Sequence, residues 1–235
     1  MSIERVGRRA AQALVTAVVL GGLAVAPASA TPVEGGHGSA ELCRTAPQVP
    51  ARISIDAFSK DVAVGLDRCG GTDEYLLDLA GPRGIRTAVL VPEGATSTGT
   101  WEVGLEYPVG RWTFSGDLDQ DPDVEVAPVT VALKYGARAS LRGSRSGDDV
   151  TLRVQASYYD ASKASFQPLR DRKATVEILG KDGRTWQYLR SVTVPGTGLI
   201  DYTFTNRYAA TYRVTTWETP YIWSRTSQAV TVPGR

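Results

Sequence analysis

The sequence predicts an all-β protein with two tandem antiparallel β-sandwich domains that follow an N-terminal signal peptide. Three observations predict this fold class. Apolar and polar residues alternate in short runs, glycine, proline or aspartate bounds each run, and no window shows the 3.6-residue apolar spacing of an amphipathic helix. Because alternation with period two places one face of a strand in a core, these runs predict half-buried strands.

The first 30 residues have the three parts of a secretory signal peptide. A basic start precedes the apolar stretch ALVTAVVLGGLAVA, and the small residues of ASA precede Thr31. The apolar stretch is short and contains glycine, so it does not predict a membrane span, and neither does any later segment. We therefore assign residues 1–30 to the signal peptide and expect a secreted, extracellular protein.

Residues 31–51 contain glycine, proline and small residues without periodicity, which predicts a flexible leader. The chain has two cysteines, Cys43 and Cys69, and disulfides persist in exported proteins. We expect a Cys43–Cys69 bridge that closes a loop of about 26 residues and stabilises the fold by on the order of 3 kcal/mol. A redox pair is the alternative, but the spacing is unlike Cys-x-x-Cys.

The remaining chain divides into two blocks of strands, which predict domains at residues 52–134 and 135–235. Turn signals recur every 8 to 15 residues, and each block is long enough to form its own core. About seven short strands in about 100 residues are typical of an immunoglobulin-like sandwich. The predicted fold is therefore two tandem immunoglobulin-like antiparallel β-sandwich domains.

One strand of the first block breaks the alternation. Val124 and Val126 occupy even positions, whereas Val129 and Val131 occupy odd ones. Because the intervening Pro128 cannot donate to a ladder, a bulge at a sheet edge is the simplest explanation.

The second block resembles an immunoglobulin-like repeat of secreted actinobacterial proteins. The resemblance rests on the strand SGDDVTLRV, the turn KDGR and the strand TYRV, and the segments GPRGIRTAVL and GRWTFSGDLDQD of the first block are similar to the partner domain of such proteins. The motifs are turns and core positions rather than catalytic groups. The resemblance implies an exported, non-enzymatic β-sandwich protein. In this chain PGTG, residues 195–198, replaces an aspartate-bearing turn of the repeat.

The net charge argues against nucleic acid as a partner. The chain has 26 basic and 25 acidic residues, of which the signal peptide holds three arginines and one glutamate, so 23 basic and 24 acidic residues remain. A nucleic-acid partner would normally require a strong basic excess. Electrostatic binding to a membrane surface is equally unsupported by a formal net charge of −1.

The sequence predicts no catalytic residues. The single histidine, His37, lies in GGHGSA, where it cannot be held as a catalytic base or a zinc ligand. Paired carboxylates such as Glu102 and Glu106 could serve a glycosidase, but neighbouring acids are common in a chain with this many of them. We expect that the protein is not an enzyme.

Seven aromatic residues lie between residues 202 and 223, and three of them flank a tight turn. Trp217, Tyr221 and Trp223 surround ETP at one end of the second sandwich, where loops commonly carry binding sites. Exposed rings can stack on sugars or anchor a protein partner. The two interpretations are a ligand or partner surface and three rings inserted in a core edge.

The run GDLDQDPDVEV, residues 116–126, suggests a metal site. Asp117, Asp119 and Asp121 match the first three ligand positions of an EF-hand loop, but Pro122 stands where the loop needs glycine. The alternatives are a weak calcium site at these aspartates and a solvated turn. We expect no other cofactor.

We expect a monomeric, secreted, non-catalytic binding or structural protein, associated with the cell envelope or an extracellular polymer. Its partner would be an extracellular protein or a cell-wall polysaccharide. The alternative is a proteinaceous inhibitor or effector that docks onto an extracellular enzyme through a disulfide-braced loop near Cys69.

Overall fold

The computed structural model describes residues 43–66, 74–93, 98–116 and 124–235. The predicted signal peptide, residues 31–42 of the predicted leader, and Cys69 lie outside the described residues. The described residues belong to one compact unit, residues 40–235. Their helical segments are two 3₁₀ turns, Pro82–Gly84 and Ala161–Lys163. Within these ranges, no helix reaches the length and apolarity that crossing a membrane requires.

Ten strands form the first sandwich. They are β1 (Cys43–Thr45), β2 (Pro47–Gln48), β3 (Arg52–Ile55), β4 (Ser59–Leu66), β5 (Tyr75–Ala80), β6 (Arg86–Val91), β7 (Thr98–Gly104), β8 (Gly110–Gly116), β9 (Val124–Val126) and β10 (Val129–Tyr135). One sheet has the order β3-β10-β8-β5-β6, the other has the order β2-β4-β7, and β1 pairs with β9. Pairs β3–β10 and β1–β9 are parallel, and the other ladders of this sandwich are antiparallel.

Eight strands form the second sandwich. They are β11 (Ala137–Ser146), β12 (Asp149–Asp160), β13 (Ser165–Pro168), β14 (Arg172–Leu179), β15 (Trp186–Val194), β16 (Leu199–Thr205), β17 (Ala210–Thr216) and β18 (Val230–Val232). In one sheet β12 pairs with β11, β13 and β16, and the other sheet has the order β15-β14-β17-β18. All of these ladders are antiparallel. The predicted all-β fold class of antiparallel β-sandwiches is therefore confirmed, and the signal peptide before it stays a prediction.

Alternation of apolar residues produces two separate cores. In the first, Trp101 lies 5.4 Å from both Trp112 and Phe114 between ring centroids, and all three rings are buried. In the second, Tyr212 is fully buried and its hydroxyl accepts a 2.8 Å hydrogen bond from the Asn206 side chain. Burial of such large apolar surfaces is the main stabilising contribution to each sandwich.

Strands of the first sandwich begin before the predicted end of the leader. Strands β1 and β2 lie within residues 31–51, and Val49 packs against the first core. These strands form because β1 finds a partner in β9 and β2 finds one in β4. The domain boundaries themselves stay predictions.

The prediction that Pro128 lies on an edge strand is wrong. Strand β10 lies between β3 and β8 inside its sheet, whereas β9 pairs with β1. The parity change occurs where the chain moves from one set of partners to the other. Since Pro128 falls between β9 and β10, its missing N–H removes no bond from either ladder.

A short junction connects the two cores. Tyr159, near the end of β12, is 3% exposed and belongs to the core of the first sandwich, where it packs edge-on against Phe166 at 5.4 Å. The Gly136 N–H donates to Ile55 O, and the Tyr159 N–H donates to Gly136 O, both at 2.8 Å. A Cβ at Gly136 would lie 2.7 Å from the Ser54 hydroxyl, so the close approach requires glycine.

Candidate functional site

The structure places the three aromatic residues of the predicted surface in different surroundings. The half-buried Trp223 packs between the two sandwiches, where its indole N–H donates to Ile53 O at 2.8 Å. Trp217 lies against the β14 strand, and its indole N–H donates to the Thr175 hydroxyl at 2.9 Å. Tyr221 is 62% exposed and lines a recess beside the junction. In the part of the chain that the structure describes, the three rings make no mutual contact, and a shared ligand surface stays a prediction.

The predicted calcium ligands Asp117, Asp119 and Asp121 lie outside the described residues. The calcium hypothesis and the Cys43–Cys69 bridge therefore stay predictions. Among the residues that the structure does describe, there is no group of three histidine, cysteine, aspartate or glutamate side chains that could hold a metal ion.

The loop between β17 and β18 is held against the first sandwich by charge pairs. Glu218 accepts a 2.9 Å hydrogen bond from Arg52 and a 2.6 Å hydrogen bond from Lys134. The Lys134 ammonium also donates to Thr219 O at 2.8 Å. The Trp223 ring lies 4.0 Å from the Arg52 guanidinium and 4.5 Å from the Lys134 ammonium. These contacts fix the loop as one wall of a cleft at the junction.

This junction cleft has a volume of about 430 Å³ and is built by both sandwiches. Strands β3 and β4 and their connection provide one side. Segments around β11, β13 and the β17–β18 loop provide the other. Its lining residues are Arg52, Ser54, Asp56, Lys60, Ala137, Arg138, Phe166, Trp223, Ser224 and Arg225.

Positive charge dominates the lining of the junction cleft. Lys60 has a partner in Asp56 at 3.3 Å, and Arg52 has one in Glu218. The exposed Arg138 lies over the Phe166 ring at 3.5 Å. Neither Arg138 nor the exposed Arg225 forms a salt bridge with any residue in the described ranges. Two guanidinium groups are thus available to an anion.

A longer groove continues from the junction cleft along the second sandwich. It has a volume of about 740 Å³ and shares Arg138, Phe166 and Arg225 with the cleft. Further along, hydroxyl and amide side chains such as Gln155 and Gln228 line the groove. The two recesses form one continuous surface that has cations at the junction end and hydrogen-bonding groups beyond it.

The outer face of the β15-β14-β17-β18 sheet also carries rings and charges, and its Arg213 and Glu177 are paired with each other. Arg213 donates to both Glu177 carboxylate oxygens, at 2.7 and 3.0 Å, and lies over the Trp186 ring at 4.3 Å. The Arg213 hydrogen bonds hold the pKa of Glu177 below its usual range. Because these two groups already satisfy one another, Arg213 is less available to an anion than Arg138 and Arg225 are.

Sequence reasoning missed Arg138 and Arg225 because neither belongs to a motif and because net charge was counted only over the chain as a whole. Residues 135–235 contain 15 basic and eight acidic residues, a formal net charge of +7. Residues 52–134 contain seven basic and 14 acidic residues, a formal net charge of −7. A count for each predicted domain would have identified the second sandwich as the cationic one.

Comparisons with known proteins add no functional information. The chain matches no protein-family model and no curated protein. Among solved structures, it is similar to the BSP domain of a biofilm-associated protein, at 14% identity and a TM-score of 0.29, covering 80% of this chain and 29% of that one. It is also similar to a two-domain fibronectin type-III segment of chicken tenascin, at 12% identity and a TM-score of 0.36, covering 79% and 95% of the two chains.

A third similar structure is a tetra-tandem repeat from the extending region of a large adhesion protein. The identity is 10% and the TM-score is 0.31, and the match covers 80% of this chain and 48% of that one. This chain therefore spans less than half the length of the biofilm-associated and adhesion structures. With TM-scores below 0.5, none of these likenesses indicates a function for this chain.

Proposed function

We propose that the protein is a secreted, non-catalytic binding protein that holds an anionic extracellular polymer in the junction cleft. This proposal rests on two guanidinium groups, those of Arg138 and Arg225, that form no salt bridge within the described residues. Both lie on one wall of the cleft, and Arg52 and Lys60 line the opposite side. A cell-envelope polysaccharide with phosphate or carboxylate groups has the matching charge.

Arginine suits this role because its planar guanidinium donates two parallel hydrogen bonds to a phosphate or carboxylate. An exposed binding site of this kind gains moderate electrostatic energy, which dissolved salt reduces. The contacts that hold the junction together keep both sides of the cleft in place before a ligand arrives. Such preorganisation lowers the entropic cost of binding.

The test is equilibrium binding of the purified protein to fluorescently labelled polyphosphate, with labelled dextran as the uncharged polymer. We expect binding to polyphosphate, an affinity that falls as salt is added, and no binding to dextran. The double substitution Arg138→Gln and Arg225→Gln should weaken polyphosphate binding by about tenfold or more, since each lost charge-assisted hydrogen bond contributes on the order of 1 kcal/mol.

Lys181→Gln with Arg184→Gln is the matched control. Both residues are exposed on the β14–β15 turn, outside the cleft lining, and their loss changes the net charge equally. The control should change the affinity by less than about threefold, because distant surface charges are screened. Equal losses in the two double variants would show that overall charge, and not the cleft, binds the polymer.

A further inference from the structure

A second basic recess lies beside the junction and shares a boundary with the groove. It has a volume of about 450 Å³, and Lys163, Arg170 and Arg172 line it. Three tyrosine side chains, two β13 residues, Leu169 and Ile222 complete the lining, which contains no carboxylate. The tyrosines are Tyr135, Tyr158 and Tyr221.

Two of the three cations in this second recess are unpaired. Arg170 and Arg172 are exposed and form no salt bridge with a residue in the described part of the chain. Lys163 lies 4.0 Å from Asp160, whose pKa the Ser162 hydroxyl holds below its usual range. Asp160 therefore stays ionised at neutral pH and offsets the charge of Lys163. The two arginines carry the surplus positive charge of the recess.

The backbone turns sharply between the two arginines. Asp171 has a φ of 53°, in the left-handed region that aspartate tolerates better than most residues, and its N–H donates to Val194 O at 2.8 Å. Both arginines line the same recess across this turn. The Asp171 carboxylate lies outside the lining, although its charge reduces the local surplus.

The recesses form a continuous track around β13. Pro168 lines both the second recess and the long groove, and the long groove shares Arg138, Phe166 and Arg225 with the junction cleft. Along β13, Phe166 contributes to the junction cleft and Gln167 contributes to the second recess. A flexible chain can therefore follow this surface from Arg138 to Arg170 past Pro168.

We propose that one linear polyanion occupies this track, with the junction cleft and the second recess as two anion subsites of the same ligand. The inference rests on the proposed function and names its ligand as a chain with repeated phosphate or carboxylate groups rather than a single small anion. Linking two weak subsites through one ligand raises the affinity, because binding at one subsite increases the effective concentration at the other.

The test compares tripolyphosphate with polyphosphate of about 60 units, since only the longer chain can span both subsites. The double variant Arg170→Gln with Arg172→Gln should bind the long chain with about tenfold lower affinity than the parent does. Its affinity for tripolyphosphate should stay within about twofold of the parent's. The double variant Arg138→Gln with Arg225→Gln should bind both ligands with lower affinity than the parent does. The double variant Arg170→Lys with Arg172→Lys should retain most of the affinity for the long chain. The melting temperatures of the lysine and glutamine variants, compared with the parent's, check that both variants are folded.

The outcomes separate this inference from the proposed function. If the Arg170 and Arg172 variant binds the long chain as the parent does, the track is wrong and the junction cleft stands alone. If the Arg138 and Arg225 variant also binds both ligands unchanged, the proposed function is wrong. Polygalacturonate of similar length identifies whether carboxylate or phosphate is preferred, and either preference supports the track. Much tighter binding of single-stranded DNA than of polyphosphate and polygalacturonate would overturn the track in favour of a nucleic-acid site.

Discussion

Replacing Tyr159 by alanine should lower the free energy of unfolding of the first sandwich by about 3–5 kcal/mol, the usual cost of removing a large buried ring. The ring belongs by sequence to β12 of the second sandwich, yet it is buried in the core of the first. Its removal leaves a cavity at the junction and takes a β12 side chain out of the first core. We therefore expect the single unfolding transition of the parent to separate into two transitions in this variant.

Urea unfolding followed by tryptophan fluorescence and by far-ultraviolet circular dichroism measures both effects. The matched control is Tyr159→Phe, which keeps the ring and removes a buried hydroxyl that has no hydrogen-bond partner among the described residues. Because an unpaired buried hydroxyl costs free energy, this variant should be as stable as the parent or slightly more so. A Tyr159→Ala protein that unfolded in one transition at the parent's midpoint would contradict the coupling of the cores.

Replacing Arg145 by methionine should lower the free energy of unfolding by about 2 kcal/mol, because hydrogen bonds to a charged group are lost and part of the loss is recovered by water. The Arg145 guanidinium donates to three backbone carbonyl oxygens: that of Pro233 at 2.7 Å, that of Tyr208 at 3.0 Å, and that of Asn206. One side chain thus connects β11, the β16–β17 turn and the segment after β18.

Arg142→Met is the control for this variant. Arg142 lies on the same strand, is exposed, and stands opposite Arg153 in the β11–β12 ladder. Its removal relieves a repulsion between like charges, so the unfolding free energy should stay within about 0.5 kcal/mol of the parent's. Equal midpoints in urea for the Arg145 and Arg142 variants would show that the carbonyl contacts contribute little.

Much of the fold can be predicted from the sequence because strand alternation is a local property. Trp112 and Phe114 in β8, and Val150, Leu152 and Val154 in β12, alternate inward and are all fully buried. A period of two decides which face of a strand is apolar, and no distant contact is needed to detect it.

At two points in the chain the inward-facing positions change from even to odd numbers, and alternation alone does not explain either change. The change near Pro128 indicates a change of partners rather than a sheet edge. A similar change follows Ala156 in β12: buried positions are even up to Ala156, and then the odd-numbered Tyr159 is buried. At that point the strand leaves its own core and reaches the neighbouring one. Which core receives the ring depends on tertiary packing, which alternation cannot specify.

The candidate site was less predictable because its members come from distant parts of the chain. Trp223 lies beside a turn in the sequence, but its hydrogen-bond partner, Ile53 O, lies 170 residues away in sequence. Arg138 and Arg225 belong to no motif, and only the fold brings them to one wall of a cleft. The unequal charge of the two sandwiches was visible in the sequence, but it identifies a cationic domain and not a site.

The most direct test of a polyanion site at the junction is a heteronuclear NMR titration of the isotopically labelled protein with polyphosphate. We expect the largest chemical-shift changes at the backbone and arginine side-chain signals of Arg138 and Arg225 and at the backbone signal of Phe166. Signals of the β15-β14-β17-β18 outer face, such as Trp186 and Tyr188, should change little. Large changes on that outer face with none at Arg138, Phe166 and Arg225 would contradict the junction cleft as the binding site.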